Sequence, residues 1–93
     1  MPTYALFVFY KLKALTPGEE ERTRREWEEL KKKLPPGVRL TGEYRHAWGT
    51  NYNGIIVLEG EDFDKIHEAW HVFKEHVRWY VDETWTITTV KSE

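Results

Sequence analysis

Residues Thr3 to Leu12 read TYALFVFYKL. Tyr, Phe and Val dominate this stretch, and these types favour extended chain, so it forms a strand. Alternate side chains of a strand point to opposite faces. Ala5, Phe7 and Phe9 go one way; Tyr4, Leu6, Val8 and Tyr10 go the other. Neither set is polar. Such a strand sits inside a sheet whose two faces are both covered, and the rest of the chain has to account for both covers.

Thr16 opens a helix. It stands at the N-cap, Pro17 takes the first helical position, and Glu19 completes a T-x-x-E capping box. Acidic residues fill the first turn and Lys31 to Lys33 the last, matching the helix dipole, until Pro35-Pro36-Gly37 stops the helix. Its apolar stripe is thin: Thr23, Trp27, Leu30 and Leu34. Charged side chains occupy the remainder, with i,i+4 pairs expected at Glu20–Arg24, Glu21–Arg25, Glu28–Lys32 and Glu29–Lys33. This lacing suits a thermostable protein or a designed surface.

Val38 to Trp48 (VRLTGEYRHAW) alternates, which predicts a half-buried strand. Val38, Leu40, Tyr44, His46 and Trp48 fall on one side; Arg39, Thr41, Glu43 and Arg45 fall on the other. Gly49 to Gly54 is a turn cluster, and Ile55 to Glu59 returns as the second arm of a hairpin. Asp62 caps a second helix predicted to reach Tyr80, with Phe63, Ile66, Trp70, Phe73, Val77 and Tyr80 at helical spacing. Thr84 to Lys91 (TWTITTVK) is the last strand.

The order β, α, β, β, α, β with right-handed crossovers lays both helices on one face of a four-stranded antiparallel sheet, a ferredoxin-like α+β domain. The 93 residues make one such domain, 1–93. The helices cover one face, yet the other is not polar: strand 1 is apolar throughout, strand 3 has apolar residues on both sides, and strand 4 adds Trp85 and Ile87. An apolar sheet face marks an interface. A chain this short buries a modest core, and without Cys it has no disulfide to compensate. A second copy packed sheet to sheet about a two-fold axis meets both needs, so the expected partner is the chain itself.

The opening strand YALFVFYKL, the amphipathic first helix, the hairpin around GTNYNG, the aromatic second helix FDKIHEAWHVFKEHVRWY and the closing strand TWTITTV together resemble the dimeric α+β barrel superfamily. The resemblance covers nearly the whole chain and rests on pattern rather than on a diagnostic motif. It implies sheets pairing in a homodimer and a ligand pocket between the sheet and its helices. Members include cofactor-free monooxygenases, polyketide cyclases, lactone isomerases and haem proteins, whose axial ligand is a helix-borne His; here that part would fall to His67 or His71.

Several classes are disfavoured. A net charge of −2 offers no global attraction to nucleic acid or anionic membranes. Strand 3, NGIIVLEG, lacks the basic and aromatic residues of an RNA-binding sheet. No apolar run is long enough to cross a membrane or to serve as a signal, which predicts a cytoplasmic protein. No Gly-rich phosphate loop, nucleophile elbow or CxxC occurs.

Four histidines carry the remaining chemistry, since imidazole titrates near neutral pH. His46, in phase with Tyr44 and Trp48, is the candidate acid/base; the plain alternative is a packed imidazole. His67 and His71 share a helical ridge at metal-chelating spacing, but no third ligand accompanies them, and no metal or cofactor is expected. His67, at the border of the core, is instead a pocket candidate. Tyr4, Tyr44, Trp48, Tyr52, Trp70 and Trp85 are candidates to line a site for a small apolar or aromatic molecule, although aromatic clusters also serve simply as core. The sequence therefore supports binding of, or cofactor-independent acid/base chemistry on, such a molecule. The alternative is a stable homodimer with no chemistry, and the third reading is haem. A cavity under the helices favours the first, and a core packed solid by the five Trp favours the second.

Overall fold

The structure, a computed structural model, describes residues 2–46, 49 and 51–92. The elements run β1 (Tyr4–Leu12), α1 (Pro17–Lys31), β2 (Val38–Arg45), β3 (Gly54–Gly60), α2 (Phe63–Val77) and β4 (Val81–Val90). All neighbours pair antiparallel, in the order β2-β3-β1-β4. This is the ferredoxin-like βαββαβ arrangement expected from the element order. Several boundaries differ from the sequence reading: α1 ends at Lys31 and β2 at Arg45, and the largest shifts lie between the second helix and the last strand. α2 ends at Val77, and β4 starts at Val81. Tyr80 thus leaves the helix for the turn that leads into β4, where it is still buried.

The caps explain where the helices begin. Thr16 accepts from the Glu19 N–H at 3.2 Å, and the Glu19 carboxylate accepts from the Thr16 N–H at 2.9 Å, which closes the capping box. Asp62 accepts from the Lys65 N–H at 3.1 Å. Gly37, at φ +87°, takes the left-handed turn after the two prolines that a side chain would resist. The ion pairs of α1 are Arg22–Glu26 together with Glu21–Arg24, Glu28–Lys31 and Glu29–Lys32, rather than the four i,i+4 pairs expected. Three of these four are spaced i,i+3, which a helix also brings face to face.

Leu6 and Val8 of β1, with Ile56 and Leu58 of β3, form the floor of the core, and Ile66 and Ala69 of α2 press on it. A second cluster of Leu30, Phe73, Val77 and Tyr80 joins the two helices at one end. α2 lies closer to the sheet than α1 does. On the opposite face the register sets Phe7 between Val57 and Ile87, and Phe9 between Ile55 and Trp85. Neither helix reaches that side; Trp85 is 60% exposed there and Ile87 45%.

β2 contains the irregularity with most consequence. Leu40 pairs with Leu58 and Gly42 with Val57, so Thr41 is an extra residue bulged from the strand. Beyond it the alternation is inverted. Glu43 and Arg45, expected opposite Val38 and Leu40, share their face toward the helices. Tyr44, expected with Leu40, stands on the helix-free face at 58% exposure. Among the described residues no helix is long and apolar enough to span a membrane.

Substituting Thr16 with Ala removes one half of the capping box and the reason for the other. The expected loss is about 1 kcal/mol of stability, read from the midpoint of a urea unfolding curve with unchanged slope.

Candidate functional site

The gap between α1 and the sheet is spanned by side chains. Trp27 reaches down from α1, packs edge-on to Phe73 with ring centroids 5.6 Å apart, and donates its indole N–H to Glu43 at 2.7 Å. Lys31, one turn on, donates to the other Glu43 oxygen at 3.1 Å. Between these struts and the sheet lies a cavity of about 190 Å³. Its floor is Val8, Tyr10 and Ile56; Trp27, Trp70 and Val77 form the helical side; Tyr80 and Thr84 close the β4 end. Leu12, Arg24 and Glu43, all exposed, form the rim. The described Trp side chains therefore do not pack this core solid.

Two phenols give the cavity its polar character. Tyr10 extends over Gly54, where a Cβ would collide with the phenol and with the Tyr44 carbonyl, so only glycine lets the ring lie there. Burial raises the Tyr10 pKa, the Glu43 carboxylate raises it further, and Arg45 partly offsets this. Tyr80 is 7% exposed. Burial, then the Glu26 carboxylate and Tyr10 itself, push its pKa up to about 12. Both hydroxyls thus keep their protons under ordinary conditions. Among the described residues neither hydroxyl is engaged in a hydrogen bond, and neither is sealed off unsatisfied.

The residues singled out from the sequence are distributed differently. Trp70 lines the cavity. Tyr4 lies on the helix side of β1 but packs edge-on to Phe63 at 5.5 Å, away from the cavity. His67 stacks on Phe63 with centroids 4.2 Å apart, and its ring nitrogens contact the Phe63 carbonyl at 2.8 Å and the Thr88 hydroxyl at 3.0 Å. This is the packed-imidazole arrangement. Tyr44, Tyr52 and Trp85 belong to the helix-free face, where Tyr52 meets Phe9 and Trp85 edge-on and donates to Glu83 at 3.2 Å. His46 is exposed just past the end of β2; its backbone N–H donates to Asn53 at 2.8 Å, and its side chain is not part of the cavity wall. Trp48 lies outside the described residues.

Haem does not fit this arrangement. The two nitrogens of His67 are occupied, His71 is exposed, and neither residue lines the cavity. The cavity itself has single-ring dimensions, since a void of about 150 Å³ is filled by benzene, whereas a porphyrin joins four pyrroles. Among the described residues no group of three His, Cys, Asp or Glu could hold a metal ion.

Tyr10, Tyr80, Trp27 and Thr84 were not singled out, although the signals for the first two were present: Tyr10 is in phase with Leu6 and Val8, and Tyr80 ends the apolar stripe of the second helix. Glu43 had no such signal, because simple alternation assigns it to the other face.

Solved structures share this arrangement. A dabb-family protein from Mesorhizobium loti with a ferredoxin-like fold superposes with a TM-score of 0.72 at 22% identity over 100% of both chains. A chlorite dismutase-like protein gives a TM-score of 0.81 at 16% identity; all of this chain is covered, but it spans only 44% of that protein's length. A dimeric ferredoxin-like protein of unknown function from Thermobifida fusca gives 0.65 at 11% identity over 97% of this chain and 92% of that one. No family model matches the sequence, and no curated protein matches it either. At these identities the likeness carries the fold alone, the ferredoxin-like arrangement.

Because Tyr10 and Tyr80 bind their protons more tightly folded than unfolded, the native protein holds more protons between about pH 10 and about 12. The stability they contribute is complete below that window and is lost as pH rises through it. Urea unfolding across this window should show the decline, and Tyr80→Phe should flatten it; an unchanged slope in the variant would assign the decline elsewhere.

Proposed function

We propose that this protein binds a small, uncharged, largely apolar molecule, of the size of one substituted ring, in the cavity beneath α1, and that it does so as a homodimer joined through the helix-free sheet face. The cavity carries the first half of this reading. Its apolar walls are interrupted by two protonated phenols and two threonines, with the Glu43 carboxylate and the Arg24 guanidinium at the rim, the composition of a site that encloses an organic molecule and fixes its orientation with a few polar contacts. It also separates this reading from that of an inert scaffold, which would have no reason to keep Trp27 propped above the sheet.

The dimer is supported by the aromatic and aliphatic side chains of β1, β3 and β4 that no helix covers, and by the dimeric state of the Thermobifida fusca protein of the same fold. A sheet face of this kind left in water is a liability that a two-fold partner removes. His46 is no part of the proposed site; the groups placed for chemistry are Glu43, Tyr10 and Tyr80.

Titration with p-xylene, followed through the fluorescence of Trp27 and Trp70, should show saturable binding. Thr84→Phe, which fills the cavity from β4, should abolish it while leaving the fold intact by circular dichroism. Absence of saturable binding to the wild-type protein would overturn the cavity reading. The dimer is tested separately by sedimentation: two chains for the wild type, and dissociation in Trp85→Glu, which buries a charge in the proposed interface. A wild-type monomer would overturn that half alone.

A further inference from the structure

We infer that the ligand of the cavity carries a neutral hydroxyl, which donates its hydrogen bond to Glu43 and accepts one from Tyr10. This rests on the cavity reading above and assigns the polar end of the molecule.

Glu43 reaches the helix side of β2 only because Thr41 is bulged; β-bulges recur beside functional sites, where they re-aim a side chain. A carboxylate is an unusual choice for the rim of an apolar cavity, and this one is held firmly. One oxygen accepts from Trp27 and the other from Lys31, which fixes its position and balances its charge. Each carboxylate oxygen offers about two acceptor sites, so about half of the group's capacity is still open. Glu43 therefore seeks a donor.

Tyr10 lines the same cavity: it faces the helices across β3 from Glu43, and its phenol lies over Gly54 toward β2. Its hydroxyl is protonated and makes no hydrogen bond within the described protein. A fixed acceptor beside a free donor complements a group that both donates and accepts at one atom, which is a hydroxyl. A ring N–H would satisfy only Glu43, and a carbonyl only Tyr10. A carboxylate would meet Glu43 with like charge, and the nearest rim guanidinium, Arg24, is already paired with Glu21. The apolar body of the ligand would then lie inward on Val8, Ile56 and Val77, with its hydroxyl at the mouth.

The test compares three probes of one shape, p-xylene, p-cresol and 4-methylbenzoate, by fluorescence titration of the wild type, Glu43→Gln and Tyr10→Phe. In the wild type p-cresol should bind roughly tenfold or more tighter than p-xylene, as a hydrogen bond to a charged acceptor implies. Glu43→Gln should erase most of that preference, read as the ratio of p-cresol to p-xylene affinity, which a general loosening of the cavity would leave unchanged. Tyr10→Phe should erase part of it. Equal binding of p-xylene and p-cresol by the wild type would overturn the assignment of Glu43 yet leave the cavity reading standing. Failure of all three probes would overturn both. Tighter binding of 4-methylbenzoate than of p-cresol would replace the hydroxyl by an anion held at Arg24 and Arg45.

Discussion

A strand without a polar face has to be enclosed from both sides, and the molecule is arranged around that constraint. β1 lies between β3 and β4, with Leu6 and Val8 pressed under the helices and Phe7 and Phe9 directed the other way. Burying one such side chain fully contributes on the order of 1.5–3 kcal/mol, so each face represents a substantial share of the stability available to 93 residues. The chain supplies its own cover for one face. For the other it supplies only more of the same material, with Ile55, Trp85 and Ile87 alongside the two phenylalanines.

The strut from α1 to the sheet does the opposite of close packing. A helix with a thin apolar stripe would settle onto a sheet through small side chains; here Trp27 and Lys31 both end on Glu43 and hold the helix at the length of an indole. Arg22 adds to this at the far end, lying over the Trp79 ring at 4.3 Å while Glu26 accepts from both. Exposed pairs of this kind add little stability singly, but together they set a spacing, and the cavity is what that spacing leaves.

The elements were legible because their signals are local. The capping box at Thr16, the stop at Pro35-Pro36-Gly37 and the two-residue period of TYALFVFYKL need no tertiary context. The second apolar face was legible from that same period. The site was much less so. Alternation through VRLTGEYRHAW set Tyr44 on the side of Val38 and Leu40 and Glu43 on the other, and a single bulged residue reverses both. Nothing in that stretch announces the bulge, since Thr41 is a good strand residue and its hydroxyl finds Glu59 only once β3 lies alongside. His67 is a different case: imidazole was weighed for its chemistry, and the fold engages it by stacking on Phe63 and bonding to Thr88, contacts that appear only once α2 lies on β4.

The position of β1 also governs how the chain reaches this state. Its partners are distant in sequence: Tyr10 pairs with Gly54 and Thr84, and Tyr4 with Gly60 and Val90. Only the β2–β3 hairpin forms from neighbouring segments, and Asn53 at its base then stitches onto β1, donating to the Tyr10 carbonyl and accepting from the Leu12 N–H. Long loops must therefore close before the central strand gains its contacts, and their entropy falls on the folding barrier. The β2–β3 hairpin is the strand pair that needs no long loop closed, whereas both pairings of β1 join segments more than forty residues apart.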